Sequence, residues 1–274
     1  MAYIDPEQPL PCTVETLATD LRALGVAAGG TLLVHSSLSS LGYVTGGAHA
    51  AVLALLEVLG PGGTLVVPTH SSSLSDPGQW VNPPVPEPWW PVIRESMPAY
   101  DPRLTPTERM GAIADTVRHL PGAVRSGHPT LSFCAVGPDA AVVTTGHGLE
   151  DGLGEASPLA RLYDLDADVL LLGVGHGNDT SLHLAEVRSG TQPTVTEGAP
   201  LVVDGRRRWV TFPATVLDAT DFEEVGAAVS AAGLEVEGPV GRGSARLVPV
   251  RPLVDFATAW FVEHRTAPDG RGPH

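Results

Sequence analysis

Residues 169–186 read VLLLGVGHGNDTSLHLAE, and this stretch decides the predicted fold and the first functional hypothesis. An apolar run of strand length comes first, three closely spaced glycines follow, and a helical pattern then carries His183 and Glu186. Residues at positions i and i+3 share one face of a helix, so an imidazole and a carboxylate can serve one site at the carboxyl end of a strand. A histidine titrates near neutrality and can take a proton from a nucleophile. The alternative interpretation is a strand and a surface helix with an ordinary hydrogen-bonded histidine.

Helical and strand patterns alternate along most of the remaining chain. Helices are predicted over 13–25, 48–59, 110–120, 221–232 and 253–263, and strands over 31–35, 64–67, 131–136 and 169–172. Residues 199–203 and 208–212 are predicted to form a hairpin that turns at Asp204 and Gly205. This order predicts an α/β fold with a central mixed, partly parallel sheet flanked by helices. We find no internal repeat and no clear linker, so we expect a single domain over residues 1–274, with its core at about 13–263.

Residues 70–107 interrupt the alternation with a proline-rich insert that holds Trp80, Trp89 and Trp90. A long irregular segment is usually either disordered or functional. Disordered segments are poor in aromatic residues, so the tryptophans favour an ordered covering loop. At the other end of the chain, we expect residues 265–274 to form a frayed tail.

The charge composition excludes several chemistries. The chain has 31 acidic and 16 basic residues, for a net charge of -15, and every basic residue is an arginine. Without lysine there is no Schiff-base lysine, no pyridoxal-phosphate anchor and no P-loop lysine. A strongly acidic surface disfavours nucleic acid and attracts cationic ligands. The alternative interpretation is that the acidic residues serve only to keep the protein soluble.

The first residues lack the basic start and long apolar run of a signal peptide, and no stretch is long enough to span a bilayer. Cys12 and Cys134 are far apart and have no metal-like spacing, which fits a reducing compartment. We therefore expect a cytoplasmic protein that does not bind membranes.

The histidines raise the possibility of a metal site. His176, His183 and Glu186 could bind zinc together with His128 or His147. Because none of them has the spacing of a helical zinc site, we expect no metal.

Residues 36–47, SSLSSLGYVTGG, follow a predicted strand and precede a predicted helix. Backbone N–H groups and a helix N-terminus hold phosphate at such a position. The serines add hydroxyl donors, and Gly46 and Gly47 let the backbone approach a pyrophosphate. The segment matches neither the P-loop nor the dinucleotide fingerprint, so an ordinary capped turn remains the alternative.

Five motifs in order resemble the aminoglycoside 3-N-acetyltransferase family. They are VHSSLSSLG at 34–42, RSGHPTLSF at 125–133, GEASPLARL at 154–162, LLLGVGHGNDTSLHLAE at 170–186 and GPVGRGSARLV at 238–248. The resemblance implies a distinct, non-GNAT α/β fold and use of acetyl-coenzyme A without a metal. It also implies that the coenzyme is bound by His35, Ser36, Ser37, Leu38, Gly42, Val44, Gly46, Gly47, Arg125 and Ser126.

The resemblance further implies that His183 is the general base and that Glu186 or another nearby carboxylate orients its ring. Thr69 would donate a hydrogen bond to the thioester oxygen. Attack by the acceptor amine would be direct, in a ternary complex, because no nucleophile is available for a covalent acetyl intermediate.

The implied acceptor is a small polycation, an aminoglycoside, and we expect carboxylates to bind its ammonium groups. The expected contacts are Asp76, Asp179, Asp218, Asp221 and Glu224, with Glu223 nearby. Two positions depart from the family pattern, Leu153 ahead of the G-x-x-S-P motif and Asp179 in place of an uncharged residue. The alternatives are a different small amine as acceptor, a non-catalytic antibiotic-binding protein and a metal-dependent hydrolase. A homodimer is a possible assembly.

Overall fold

A computed structural model describes residues 10–265 of the chain. Its helices are α1 Val14–Leu24, α2 Gly47–Leu59, α3 Trp90–Ser96, α4 Gly111–Val117, α5 Ala140–Thr144, α6 Pro158–Asp164, α7 Ser181–Ser189, α8 Phe222–Ala231 and α9 Val250–His264. Its strands are β1 Thr31–Ser36, β2 Thr64–Pro68, β3 Val124–Arg125, β4 Phe133–Val136, β5 Asp168–Leu172, β6 Thr194–Val203, β7 Arg206–Thr215, β8 Val236–Val240 and β9 Gly243–Pro249. Short 3₁₀ turns link several of these elements, including Leu38–Leu41 and His176–Asn178.

Seven strands form one mixed sheet in the order β3-β4-β2-β1-β5-β9-β8. Strand β1 pairs in parallel with β2 and with β5, and the pairs outside this centre are antiparallel. The expected mixed, partly parallel sheet is therefore confirmed. The parallel centre brings the carboxyl ends of β1, β2 and β5 to one edge, where open α/β sheets bind ligands.

Alternation along the central strands builds two apolar cores. In β1, Leu32 and Val34 belong to one cluster of buried side chains, whereas Leu33 belongs to the other. The first core includes residues of α1, α2 and α4, and the second includes residues of α6, α7, α8 and α9. Successive side chains of a strand point to opposite faces, so helices must cover both faces of this sheet.

Local sequence explains where the first helix begins and ends. Thr13 accepts a hydrogen bond from the backbone of Thr16, and the Thr16 hydroxyl accepts one from the backbone of Thr13. This reciprocal pair is a capping box, as the sequence predicts. Gly25 ends the helix with a φ of 108°, a conformation that glycine adopts without strain.

The hairpin and the strands at the end of the chain differ from the sequence prediction. β6 and β7 pair over ten residues each, twice the predicted length. β8 and β9 were not predicted as strands at all, because the glycines and Pro239 in GPVGRG interrupt the strand pattern. β8 is the last strand of the sheet, and an edge strand tolerates proline.

The insert at residues 70–107 contains three 3₁₀ turns and α3. It lies against the β6–β7 hairpin, where Arg207 donates hydrogen bonds to the backbone oxygens of Arg94 and Met97. Within the insert, Arg94 binds both carboxylate oxygens of Asp76. The structure therefore ties this proline-rich segment to the hairpin.

A buried ionic cluster holds the loop between β5 and α7. His176 lies with Nε2 2.9 Å from Glu235 Oε2 and Nδ1 3.3 Å from Asp179 Oδ2. Asp179 in turn accepts a hydrogen bond of 3.0 Å from the backbone N–H of Ser181, the first residue of α7. A side chain at Gly226 would collide with the His176 ring, so glycine allows α8 to approach this closely. The cluster sets the position at which α7 begins.

Burial disfavours the imidazolium of His176, but Asp179 and Glu235 on either side outweigh it and raise its pKa. The pKa of His176 is therefore higher in the folded protein than in the unfolded chain. The charged ring stabilises the fold fully below its ordinary pKa of 6.5, and this stabilisation is lost as the pH rises through the raised pKa of the folded protein.

Replacing His176 should therefore destabilise the protein in a pH-dependent way. We expect His176→Gln to lower the free energy of unfolding by about 3–5 kcal/mol at pH 5.5–6, because Asp179 and Glu235 lose the imidazolium between them and only Glu235 keeps another cation, Arg246 at 3.4 Å. Urea unfolding should show this difference shrinking as the pH rises, with His119→Gln in the exposed turn after α4 as the control. A difference that is constant between acid and alkaline pH would contradict the charged state assigned to His176.

Candidate active site

His183 projects from the first turn of α7, and its side chain is 13% exposed. Nδ1 lies 2.6 Å from Glu186 Oε2, one helical turn further along. The Phe222 ring packs against the imidazole with a centroid distance of 4.7 Å. With Nδ1 bonded to a carboxylate, Nε2 is the ring nitrogen left to exchange a proton with a substrate. The structure thus brings the predicted pair together.

Glu186 is fully buried, and three groups surround its carboxylate. Besides His183 at Oε2, the backbone N–H of Asp218 donates to Oε1 at 3.0 Å, and Arg265 Nη1 donates to Oε1 at 2.5 Å. Arg265 also binds both oxygens of Asp221. The expected frayed tail is therefore wrong at its first residue, and residues 266–274 lie outside the described part of the chain.

Two cavities lie at the carboxyl edge of the parallel strands, and His183 lines the smaller one. The smaller, of about 220 Å³, is lined by residues that include Ser36, Arg109, Asn178 and His183. The larger, of about 520 Å³, is lined by residues that include His128, Asp151, Leu153, Glu197 and Phe212. His70 lines both. The imidazole of His70 therefore marks the place where the two cavities adjoin.

The predicted coenzyme loop leads away from the smaller cavity. Of its members, His35 and Ser36 line the cavity, and Ser37 accepts a hydrogen bond of 2.9 Å from the Ser40 hydroxyl. Leu38 begins a 3₁₀ turn, Gly42 ends it, and Val44 is buried in the first core. Gly46 and Gly47 have φ values of 87° and 60° and form the turn into α2, which places the first-turn N–H groups of α2 beside the loop.

His35 and His70 are neutral imidazoles in the site. Burial lowers the pKa of His35 to about 4, although the charge of Asp179 opposes the shift. Burial, together with the nearby imidazoles of His183, His35, His128 and His147, lowers the pKa of His70 to about 3. Both rings therefore remain uncharged at neutral pH.

Three predicted contacts lie away from both cavities. The Thr69 hydroxyl is fully buried and accepts a hydrogen bond of 3.1 Å from Arg125 Nε. Arg125 also donates to the backbone oxygens of Thr69 and Thr105 at 2.5 Å each. The Ser126 hydroxyl is buried between His147 and the backbone N–H of Phe133. These side chains hold the loops after β2 and β3, and the coenzyme and thioester contacts expected of Thr69, Arg125 and Ser126 stay predictions.

The expected substrate carboxylates are mostly engaged elsewhere. Asp179 is fully buried in the His176 cluster, Asp76 pairs with Arg94, and Asp221 pairs with Arg265. The side chain of Asp218 accepts from the backbone of Thr220, Glu223 accepts from the backbone of Gly177, and Glu224 is exposed on α8. Of these six carboxylates, only Asp179 borders a cavity, the smaller one. The oxygens of Asp179 face Ser181 and His176.

Two carboxylates that the sequence analysis missed line the larger cavity instead. Asp151 comes from the loop before α6, and Glu197 comes from β6. Burial raises the pKa of Glu197. The sequence analysis also missed His70 and Arg109. His70 directly follows Thr69, so its position just after β2 was a signal that it could reach the site. Arg109 lies beside Ser36 and adopts a left-handed φ of 58°. No local pattern connects Asp151 with Glu197.

Within residues 10–265, no group of three or more His, Cys, Asp or Glu side chains could hold a metal ion. The histidines considered for zinc take separate partners: His176 binds Asp179 and Glu235, His183 binds Glu186, and His128 lies 4.9 Å from His147 between ring centroids. Over the same residues, no helix is both long and apolar enough to cross a membrane.

Comparison with known proteins identifies the family. The family profile described as aminoglycoside 3-N-acetyltransferase matches residues 33–262. The aminoglycoside N(3')-acetyltransferase-like protein YokD of Bacillus subtilis (strain 168) is 46% identical over 265 residues, which are 96% of this chain and 97% of the relative. Aminoglycoside N(3)-acetyltransferase VII of Streptomyces paromomycinus is 37% identical and matched over 92% of each chain.

Solved structures share the fold. The crystal structure of YokD from Bacillus subtilis has a TM-score of 0.92 at 45% identity and covers 94% of this chain and 96% of its own. AAC-IIIb in its binary complex with CoASH has a TM-score of 0.83 at 28% identity over 95% and 100% of the two chains. AAC-VIa bound to sisomicin has a TM-score of 0.84 at 32% identity over 94% and 100%. From its profile match, its identities and its shared architecture, the chain belongs to the aminoglycoside 3-N-acetyltransferase family.

Proposed function

We propose that the protein transfers acetyl from acetyl-coenzyme A directly to the 3-amino group of a 2-deoxystreptamine aminoglycoside, with His183 as general base. The observation that carries this proposal is the His183–Glu186 pair, with an Nδ1–Oε2 distance of 2.6 Å, on the wall of a cavity that adjoins a second, acid-lined one. Relatives support it, because AAC-IIIb forms a binary complex with CoASH and AAC-VIa binds sisomicin.

The smaller cavity suits the donor. Ser36 lies on its wall, and the loop from Ser36 leads to the N-terminus of α2, whose first-turn N–H groups have no partners within the helix. Such N–H groups together with the helix dipole attract phosphate. Arg109 adds a guanidinium on the cavity wall, and we assign to it the phosphate contact expected of Arg125.

The larger cavity suits the acceptor. Its volume of about 520 Å³ is in the usual range for small-molecule sites. Asp151 and Glu197 offer carboxylates for the ammonium groups of a cationic ligand, and Phe212 and Leu217 offer apolar surface for its rings. The net charge of -15 raises the concentration of a polycation near the protein.

The reaction needs a base and no covalent intermediate. His183 Nε2 accepts a proton from the amine as its nitrogen attacks the thioester carbonyl; the N–C bond forms, the C–S bond breaks, and the coenzyme A thiol leaves with a proton. Glu186 accepts a hydrogen bond from Nδ1–H and stabilises the imidazolium that forms. Burial raises the pKa of the Cys134 thiol to about 11, so it stays protonated and is a poor nucleophile.

The direct test is thiol release from acetyl-coenzyme A with a panel of 2-deoxystreptamine aminoglycosides and with small non-antibiotic amines. We expect release that depends on at least one aminoglycoside, with the acetyl group on its 3-amino nitrogen. If thiol is released only with non-antibiotic amines, the acceptor is one of those amines and not an aminoglycoside. If the protein binds the coenzyme but releases no thiol with any amine, the proposed reaction is overturned.

His183→Ala should lower kcat by about 10²–10⁴-fold, the usual contribution of a general base, and leave coenzyme A affinity unchanged. Steady-state kinetics and calorimetric titration with coenzyme A measure the two effects separately. His119→Ala, in the exposed turn after α4, is the matched control and should retain full activity. Unchanged turnover in His183→Ala would remove that residue from the mechanism.

Asp151→Asn and Glu197→Gln should each raise KM for the aminoglycoside by roughly 10-fold, since each loses a charge-assisted hydrogen bond worth about 1.5 kcal/mol. KM for acetyl-coenzyme A should stay the same. Glu224→Gln removes an exposed carboxylate outside both cavities and serves as the control. If Glu224→Gln raised KM as much as the cavity variants, general electrostatic attraction and not local contact would explain binding.

A further inference from the structure

We propose that Arg265, the residue after α9, is a positioning residue for the reaction: its guanidinium holds the Glu186 carboxylate in the orientation that fixes His183. This inference rests on the proposed role of His183. It assigns a function to a residue that lies outside all five motifs that carry the family resemblance.

The contacts of Glu186 divide between its two oxygens. Oε2 faces His183 Nδ1, and Oε1 accepts from Arg265 Nη1 and from the backbone N–H of Asp218. Rotation of the carboxylate that moved Oε2 away from the imidazole would break both bonds at Oε1. Arg265 therefore acts on His183 through Glu186, and it makes no contact with the ring itself in the hydrogen bonds described.

The guanidinium is itself firmly held. Its Nε and Nη2 donate to the two oxygens of Asp221, and Nη2 also donates to the backbone oxygen of Asp218. The guanidinium carbon lies 4.1 Å from the centroid of the Phe261 ring, one turn earlier in α9. The Arg265 side chain is 11% exposed. Such a planar, multiply bonded group is a rigid support for a carboxylate.

Charge makes the support necessary. A fully buried carboxylate is costly without a cation, and a neutral imidazole supplies none. Arg265 offsets the charge of Glu186, and Asp221 in turn offsets that of Arg265. The cluster thus places a cation beside the Glu186 carboxylate on the oxygen that does not face His183.

The backbone explains why this residue can reach the site. α9 packs against α7, and Arg265 leaves the helix with φ -100° and ψ 131° while its N–H still donates to Phe261 O at 2.9 Å. The extended conformation turns the side chain back across the last turn of α9 toward α7. A helix one residue longer or shorter would aim it elsewhere, since each residue rotates by about 100°.

The test compares Arg265→Gln and Arg265→Lys with Arg251→Gln in the full chain. Arg251 lies at the start of the same helix, pairs with Asp166 at 2.6 Å and stacks on the Tyr163 ring, but it is not in contact with Glu186. Arg251→Gln therefore removes an ion pair and a ring contact from α9, both more exposed than those of Arg265. It is the control for the loss of an arginine and its ion pair from this helix.

We expect Arg265→Gln to lower kcat by about 10–100-fold, the range for outer residues that orient a functional ligand, with KM for acetyl-coenzyme A unchanged. Arg265→Lys, which keeps the charge without the planar fork, should retain more activity than Arg265→Gln. Arg251→Gln should keep wild-type kcat. In proton NMR, the downfield signal of the His183 Nδ1 proton, identified by its absence in His183→Ala, should be lost or shifted in Arg265→Gln.

Wild-type kcat in Arg265→Gln, or an unshifted Nδ1 proton in the folded variant, would overturn the inference. If Arg265→Gln does not fold, kcat and the Nδ1 proton signal are measured in Arg265→Lys instead. Wild-type values of both in Arg265→Lys would then overturn the inference. An inactive His183→Ala beside a fully active Arg265→Gln would refute the positioning role alone. A fully active His183→Ala would refute the proposed function first.

Discussion

The buried carboxylate of Glu186 is the constraint on which this part of the structure depends. With no exposed surface, it must find its partners inside the protein, and they come from three separate segments: His183 in α7, the backbone at Asp218 and Arg265 after α9. Satisfying one carboxylate therefore requires α7, the segment before α8 and the end of α9 to meet. Breaking a buried ion pair costs much more free energy than breaking an exposed one. The positions of these three segments relative to one another are therefore tightly constrained.

A second ionic cluster restrains α7 from its other side. His176, Asp179 and Glu235 hold the loop that enters the helix, and Asp179 also binds the backbone of Ser181. His183 thus stands on a short helix that is held at its start by one cluster and in its second turn by the other. A general base, the role proposed for His183, must keep its direction while its charge changes during each turnover, and rigid outer partners would provide this.

The sequence predicted what depends on local spacing. His183 and Glu186 are three residues apart on one helix, so their contact follows from helical geometry, and the alternation of elements predicted the mixed sheet. Arg265 lies 79 positions from Glu186, and no periodicity connects them. The direction of a side chain is the other limit: the motif around Arg125 was recognised, yet a motif does not tell which way the fork points, and in the fold it binds Thr69 and Thr105.

Composition predicts that the protein attracts cations, but it does not show which carboxylates contact them. The reason is that every basic residue of the chain is an arginine. An arginine fork can bind two carboxylates at once, as Arg265 does when it joins Glu186 to Asp221, or both oxygens of one carboxylate, as Arg94 does with Asp76. Asp76 and Asp221, which look like ligand groups in the sequence, are thereby paired within the fold. The carboxylates on the wall of the larger cavity are Asp151 and Glu197, and they are the contacts proposed for a cationic acceptor. The long-range attraction expected from the net charge belongs to the whole surface, whereas these proposed contacts belong to two side chains that line one cavity only in the folded chain.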